Sequence, residues 1–450
     1  MPNSALNKLV RRAGLEPAHL LRRQDLNLVR LPISPPSQSQ VRYCSSLLKS
    51  YTMNPRLDVL HPYPFEKLRA LLASSGPQAD GPTPINLSIG EPKHAAPERI
   101  AQAIAANLSS LSVYPSTRGD PVLRGAIAQW LARRYSIPAP DPETQILPSL
   151  GSREALFAFT QTVIDPTAGS IVVCPNPFYQ IYEGAALLAG ATPYYLNAEP
   201  VRDFACDWSR VPEEIWRKTR LVFVCSPGNP TGNVMSLEEW RTLFDLSDRH
   251  GFIIASDECY SEIYLDEDNP PLGSLQAARR LARNNYRNLM TFSSLSKRSN
   301  VPGLRSGFVA GDAALIARFL LYRTYHGSAM SPIVTAASIA AWTDEAHVKD
   351  NRRLYREKFD AVLPILENVL SVRRPQASFY LWAGTPGSDT EFTRGLYART
   401  RVTVLPGSFL ARQEHGSNPG QNRIRIALVA PLADCVAAAE RIAHFARTSI

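Results

Sequence analysis

The sequence predicts an α/β protein in which a large α/β/α domain with a mostly parallel sheet is joined to a smaller α+β domain. The chain has 450 residues and 44% hydrophobic content, enough to bury more than one core. Four short apolar runs, rich in β-branched residues, each end in polar or turn residues. Helix-length segments separate them, which is typical of parallel strands buried on both faces. The runs are SIVVCPNPFY, LVFVCSPGNPTG, GFIIASDECY and NLMTFSSLSK.

Reactive and hydrogen-bonding side chains lie where these four strands end. Tyr179, Asn229, Asp257 with Tyr260, and Lys297 follow the four runs in chain order. Ligands of parallel sheets bind beyond the carboxyl ends of the strands, so we expect the five side chains to lie at one edge. The sequence therefore predicts a cofactor site there.

The segment Met290–Phe308 indicates which cofactor. Lys297 follows the last apolar run, and Arg305 follows after a turn through Pro302 and Gly303. A lysine at the end of a buried strand can be desolvated, which frees its amine to form an imine. The neighbouring serines and arginine suit a phosphate, so the segment predicts a pyridoxal phosphate site. The alternative is a solvated loop with an incidental lysine.

A second anion site is predicted at the turn Gly151-Ser152, which opens the amphipathic segment SREALFAFTQTVI. A helix N-terminus presents free N–H groups and the positive end of its dipole to an anion. Alternatively, Ser152 is only an N-cap.

The first 52 residues differ from the remainder of the chain. They carry +6 of the net charge of +9, which leaves +3 for the remaining sequence and disfavours a nucleic-acid-binding protein. These residues show no sustained hydrophobic periodicity and are interrupted by prolines, which predicts a disordered extension. An organellar transit peptide, or an over-extended reading frame whose true start is Met53, are the alternatives.

The remaining elements predict how the two domains are built. Residues 111–340 form the large domain, and residues 53–110 and 341–450 together form the small one. The N-terminal part of the small domain contains an extended arm, a short amphipathic helix and a strand ending at Gly90. The predicted small-domain elements near the C-terminus are a long helix from Glu345, strands in SFYLWAG, VTVLPG and RIRIALV, and a last helix.

The cysteines, the histidines and the hydropathy of the sequence indicate which kinds of site and cellular location to expect. The six cysteines are far apart and form no C-x-x-C pair, which predicts reduced thiols and a cytoplasmic protein. The histidines show no paired spacing, so we expect no metal site. No apolar run approaches the roughly 18 residues that a membrane span needs, so we expect a soluble protein with no membrane partner.

Three longer motifs carry a resemblance to a known family. From about Met53 to its end, the chain resembles the fold type I pyridoxal phosphate aminotransferases of class I/II. The order and separation of the motifs are specific: SPGNPTG (226–232), SDECY (256–260) and SLSKRSNVPGLRSG (294–307).

The resemblance implies roles for the residues at the strand ends. Lys297 would bind the cofactor as an imine and, once released by substrate, move the proton between substrate and cofactor. Asp257 would keep the pyridine nitrogen protonated, so that the ring withdraws electrons. Asn229 and Tyr260 would hydrogen-bond the phenolic oxygen, and Tyr179 would stack on the ring.

It also implies the anion contacts. The phosphate would be surrounded by Gly151, Ser152, Arg153, Ser294 and Arg305, the first three mainly through backbone N–H groups. The side chain of Arg153 is less typical of the family at this position.

Substrate and dimer contacts follow from the same resemblance. Tyr114, with Gly119 five residues on, matches a tyrosine that reaches the neighbouring subunit's phosphate, which implies a homodimer with shared active sites. Arg425 would grip the substrate carboxylate, with Arg423 as the alternative, and Gly90 would contact the same group through its backbone. Arg298 could reach a second carboxylate, although a surface-facing side chain is the other interpretation.

Within the family, the sequence is most similar to proteobacterial succinyldiaminopimelate aminotransferases. This implies amino transfer between glutamate/2-oxoglutarate and N-succinyl-LL-2,6-diaminopimelate/its 2-oxo form, in lysine biosynthesis. Aspartate-, aromatic- or kynurenine-type transamination is the alternative, followed by a carbon–sulfur lyase on the same fold. A non-catalytic sensor of this fold would need a DNA-binding domain in front, for which residues 1–52 are too short.

Overall fold

The computed structural model describes residues 53–73 and 81–448, and Arg56–Ile450 form one compact unit. The extension and alternative start predicted for residues 1–52 lie outside the described residues. The helices are α1 (Pro64–Ala73), α2 (Glu98–Ala106), α3 (Pro121–Tyr135), α4 (Ser152–Val163), α5 (Ile181–Ala189), α6 (Glu213–Lys218), α7 (Leu237–His250), α8 (Ser274–Arg280), α9 (Leu295–Arg298), α10 (Ala313–His326), α11 (Pro332–Trp342), α12 (Ala346–Leu366), α13 (Asp389–Thr400) and α14 (Leu432–Thr448). The strands are β1 (Ile85–Asn86), β2 (Ile146–Ser149), β3 (Ile171–Asn176), β4 (Thr192–Asn197), β5 (Thr219–Cys225), β6 (Ile253–Asp257), β7 (Leu289–Ser294), β8 (Gly307–Gly311), β9 (Tyr380–Gly384), β10 (Val402–Thr403), β11 (Leu405–Pro406) and β12 (Arg423–Ala427).

A seven-stranded sheet has the strand order β2-β8-β7-β6-β5-β3-β4. Its pairings are parallel except those of β8, which runs antiparallel to both neighbours. The connection into β8 contains only the four-residue helix α9 and a 3-10 turn. The predicted mostly parallel α/β fold is confirmed.

Alternating side chains of β5 show why this sheet is buried on both faces. Val222 and Val224 belong to one hydrophobic core, whereas Leu221 and Phe223 belong to the core on the opposite face. All four are 3% exposed or less. Successive strand residues point to opposite faces, so a continuous apolar run is the pattern that a doubly covered strand requires.

The C-terminal third builds a second core. The antiparallel sheet β11-β12-β9 packs with α12 and α14, and β1 pairs in parallel with β10. The predicted strand INLSI stops after Asn86, whose side-chain oxygen accepts hydrogen bonds from the backbone N–H and the hydroxyl of Ser88. The predicted strand VTVLPG divides at Val404, because its two halves pair with different sheets.

These cores agree with the division into a large domain and a small one. The division at residues 110 and 340 stays a prediction, because Arg56–Ile450 cluster as a single unit. Within the described ranges, no helix is long and apolar enough to cross a membrane.

Candidate active site

A cavity of about 460 Å³ lies beyond the carboxyl ends of β6 and β7. It collects residues that are far apart in sequence, from the arm before α1 to strand β12. Of the predicted site residues, those that line it are Gly90, Ser152, Arg153, Tyr179, Asn229, Asp257, Tyr260, Ser294, Lys297, Arg305 and Arg425.

Lys297 lies on the short helix α9, directly after β7. Its ammonium donates a short hydrogen bond to the carbonyl of Gly90 and lies 5.6 Å from the ring centre of Phe379. Burial lowers the pKa of Lys297 from 10.5 to about 8. The amine is therefore closer to its nucleophilic, neutral form than an exposed lysine is at neutral pH.

Asp257 is the last residue of β6 and is 4% exposed. Its carboxylate accepts hydrogen bonds from the hydroxyl of Tyr182, at 2.8 Å, and from the backbone N–H of Cys259, at 3.3 Å. Burial nevertheless raises the pKa of Asp257, so a cation in the cavity would stabilise its ionised form. Tyr182, which was not predicted as a site residue, stacks its ring on Phe223 with 4.4 Å between centroids.

Gly151 and Arg305 form an anion cradle at the N-terminus of the 12-residue helix α4. Gly151 has φ +84°, a conformation that side-chain-bearing residues rarely adopt. A Cβ there would lie 2.5 Å from Nη2 of Arg305. The guanidinium donates to the carbonyls of Pro302, at 2.9 Å, and Leu150, at 3.3 Å, and has no carboxylate partner among the described residues.

Ser294 lines the cavity, but its hydroxyl is engaged locally. It accepts from the backbone N–H of Ser296 at 3.0 Å, capping α9, and lies 2.8 Å from the Ser296 hydroxyl. Ser296 also lines the cavity and was not predicted.

Two hydrogen-bonded pairs of side chains also line the cavity. The hydroxyls of Tyr260 and Tyr380 are 3.0 Å apart. Asn229 accepts from Nη1 of Arg425 at 2.9 Å, which leaves its amide N–H groups available to donate. Tyr380 was not predicted as a site residue, and a Cβ on Gly90 would lie 1.8 Å from its hydroxyl.

Arg425, rather than Arg423, reaches the cavity. It is 4% exposed and donates from Nη2 to the carbonyl of Ser88 at 2.8 Å, and its buried Nε has no hydrogen-bond partner in the described part of the chain. Arg423 instead lies over the ring of Phe204 at 4.7 Å.

The side chain of Arg153 leaves the anion cradle. Its Nε donates to the hydroxyl of Tyr179 at 2.6 Å, and its Nη2 lies 3.4 Å from the hydroxyl of Tyr63. The guanidinium is therefore held between two tyrosines. Tyr63, from the arm before α1, was not predicted.

Two predicted side chains lie elsewhere. Tyr114 is 99% exposed and does not line the cavity of its own chain. Both interpretations of Arg298 are wrong: it is 1% exposed, bonded to Glu345 at 2.5 Å, and packed on Trp130 and Trp342. A cation at that position is buried because the two indoles and one carboxylate offset its desolvation.

The cavity fits pyridoxal phosphate. It combines a desolvated lysine amine, a buried acid that favours a facing cation, and a glycine-lined cradle whose guanidinium has no carboxylate partner. Together with the α/β/α fold, this defines a pyridoxal phosphate-dependent enzyme. The sequence model "Aminotransferase class I and II" matches residues 82–442, and the chain belongs to this family of pyridoxal phosphate-dependent aminotransferases.

Individual relatives cover nearly the same region. An LL-diaminopimelate aminotransferase of Aquifex aeolicus is 32% identical over 399 residues, 87% of this chain and 98% of the relative. The crystal structure of an aminotransferase from Neisseria meningitidis is 54% identical with a TM-score of 0.85, over 87% of this chain and all of that one. A probable N-succinyldiaminopimelate aminotransferase from Thermus thermophilus is 26% identical with a TM-score of 0.74, over 85% of this chain and 98% of that one.

Proposed function

We propose that this enzyme exchanges amino groups between glutamate/2-oxoglutarate and N-succinyl-LL-2,6-diaminopimelate/its 2-oxo form, in lysine biosynthesis. One observation carries the reaction class: Lys297, Asp257, Arg305 and Arg425 line the same cavity. The motif similarity and the name of the Thermus neighbour support the succinylated substrate.

Each cavity residue has a proposed task. Pyridoxal phosphate, when bound, supplies an aldehyde for imine exchange and a ring that accepts electrons from the substrate Cα. Lys297 would hold the cofactor covalently and then carry the Cα proton, for which its lowered pKa suits it. Asp257 would face the pyridine nitrogen, and Tyr179 would pack against the ring.

The remaining residues would orient the two ligands. The cradle of Gly151, Ser152 and Arg305 would hold the phosphate. Asn229, whose oxygen is taken by Arg425, would donate its amide N–H to the phenolic oxygen. Arg425 would bind the α-carboxylate as a bidentate guanidinium.

A second candidate substrate is unsuccinylated LL-diaminopimelate, because the Aquifex relative carries that name. The two candidates differ chemically at one end, where one has an ammonium group and the other a succinylamide with an added carboxylate.

A substrate panel tests the proposal. Glutamate formation from 2-oxoglutarate is measured with N-succinyl-LL-diaminopimelate, LL-diaminopimelate, aspartate and kynurenine. We expect the highest kcat/KM with the succinylated compound. A higher value for LL-diaminopimelate would favour the second candidate, and a higher value for aspartate or kynurenine would refute both.

We also propose that the enzyme is a homodimer in which Tyr114 completes the partner's phosphate site. The support is an exposed apolar segment in which Leu108, Leu111 and Val113 are 54–70% exposed and Tyr114 is 99% exposed. Mixing Lys297→Ala chains with Tyr114→Ala chains should restore activity, because one site of each mixed dimer is intact. A monomer in sedimentation, or no restoration, would contradict this.

The free thiols Cys174, Cys206, Cys225, Cys259 and Cys435 suit the reducing cytoplasm, which we propose as the location.

A further inference from the structure

Three guanidinium groups line the cavity, those of Arg153, Arg305 and Arg425. Within residues 53–73 and 81–448, none of the three lies within 4.0 Å of a carboxylate, including Arg425, which is buried, whereas the buried arginines Arg124, Arg298 and Arg323 form ion pairs. Cationic groups gathered without anionic partners repel one another, and bound anions relieve that repulsion. The cavity is therefore built for more than one anionic group.

Two of the three arginines already have proposed anions. Arg305 belongs to the cradle that fits the phosphate, and Arg425 belongs to the wall that fits the α-carboxylate. Arg153 is left without one. Its backbone is part of the cradle, but its side chain turns toward Tyr63 and Tyr179.

The surroundings of Arg153 orient its guanidinium and leave part of it free. Tyr179 accepts from Nε at 2.6 Å and Tyr63 lies near Nη2 at 3.4 Å, so the plane is fixed by two contacts. Both rings also lie about 6 Å or less from its Cζ. Among the residues that the structure describes, Nη1 forms no hydrogen bond, and Arg153 is exposed at the cavity wall. A fixed, partly free guanidinium suits a carboxylate.

The other charged groups considered for this role cannot bind the second carboxylate of a substrate in place of Arg153. The acidic lining residues are Asp257 and Glu91, and Glu91 already forms a short ion pair with Lys93. The basic residue Arg298, which the sequence offered for a second carboxylate, is buried against Glu345. Arg153 and Arg425 line the same cavity as Lys297.

We infer that Arg153 binds the side-chain carboxylate of the amino-acid substrate and thereby selects dicarboxylic substrates over neutral ones. The inference rests on the proposed aminotransferase reaction. It names the protein group that would distinguish acidic from neutral substrates of that reaction. Glutamate and both diaminopimelate candidates carry such a second carboxylate, so the inference does not depend on which of them is preferred.

The test compares acidic substrates with neutral isosteres in the purified holoenzyme. Arg153→Gln should lower kcat/KM for glutamate by about 10- to 150-fold, the value of one hydrogen bond to a charged group. The value for glutamine should change by less than about threefold. Arg153→Lys should recover part of the loss, and Arg241→Gln, an exposed arginine paired with Glu238 on α7, serves as the matched control.

Two further measurements separate this role from support of the cofactor. Calorimetry should show that glutarate binds the Arg153→Gln enzyme more weakly than the wild type, while butyrate binds both equally. Titration of the cofactor-free protein with pyridoxal phosphate should give the same affinity for both. An equal loss for glutamate and glutamine, unchanged glutarate binding, or weaker cofactor binding would each overturn the inference. Inactivity toward diaminopimelates with an intact glutamate effect would instead refute only the proposed substrate.

Discussion

Substituting Gly151 by alanine tests whether the cradle is built around a missing side chain. The backbone of Gly151 has φ 84° and ψ 158°, a region almost restricted to glycine, so alanine should cost roughly 1–3 kcal/mol in strain. That strain is present with and without the cofactor. It should therefore lower the stability of the cofactor-free protein without by itself changing the affinity for pyridoxal phosphate.

Affinity should fall for a separate reason. The new Cβ would lie 2.5 Å from Nη2 of Arg305 and 3.1 Å from its Cζ, so the guanidinium must move out of the cradle. Losing one hydrogen bond to a charged phosphate costs roughly 1.5–3 kcal/mol, which corresponds to about 10- to 150-fold weaker binding. Absorbance or fluorescence titration of the cofactor-free protein measures this directly.

Two variants complete the design. Gly125→Ala, on α3 where a Cβ meets nothing within 4 Å, should leave affinity unchanged and stabilise the helix by roughly 0.5–1 kcal/mol. Arg305→Gln should weaken binding by itself, and adding Gly151→Ala to it should have little further effect, because both remove the same contact. Wild-type affinity in Gly151→Ala, or losses that multiply in the double variant, would refute the reasoning.

Three other changes give distinct signatures. With the pKa of Lys297 at about 8, the neutral fraction of its amine rises from about 9% at pH 7 to about 91% at pH 9. The rate at which the protein captures pyridoxal phosphate should therefore increase about tenfold over this range and then level off. A rate that still climbs steeply above pH 9 would contradict the lowered pKa. Tyr182→Phe keeps the ring but removes the hydroxyl that donates to Asp257, so kcat/KM should fall by about 2- to 12-fold. The acidic limb of the pH profile should move to higher pH, because the lost hydrogen bond had favoured the ionised carboxylate. An unshifted pH profile would show that ionisation of Asp257 does not control catalysis. Arg425→Lys should lower kcat/KM by about 10- to 150-fold for glutamate and glutamine alike, since both carry the α-carboxylate; a selective loss for glutamate would exchange the roles proposed for Arg425 and Arg153.

The sequence predicted the sheet and its ligand edge because both depend on local patterns. Apolar runs identify buried strands, and the polar residues that follow them must lie at the carboxyl edge. Asp257 ends its strand, and Lys297 and Asn229 follow theirs within a few residues, so the topology alone brings them together. The motif around Gly151 carried the same kind of local information.

Other site residues were beyond prediction from the sequence. Tyr182 is hidden inside α5, and Tyr380 lies on a strand whose residues are apolar throughout. Tyr63 belongs to an arm with no periodic pattern. Each contacts a site residue that is far away in sequence: Tyr182 is 75 residues from Asp257, Tyr380 is 120 from Tyr260, and Tyr63 is 90 from Arg153. Local sequence patterns carry no signal for such contacts.

From the sequence alone, an acid could be placed at the end of β6, an amine after β7 and a candidate anion site after β2, because buried strands have a readable apolar pattern. The directions of the arginine side chains depend instead on the folded chain. Four arginines that the sequence does not distinguish lie in different surroundings. Arg153 lies between two tyrosines and Arg298 is buried against two indoles, whereas Arg423 lies over Phe204 and Arg425 enters the cavity. A long cationic side chain goes where distant aromatic and carbonyl groups offset its desolvation, and those groups are assembled only when the chain has folded.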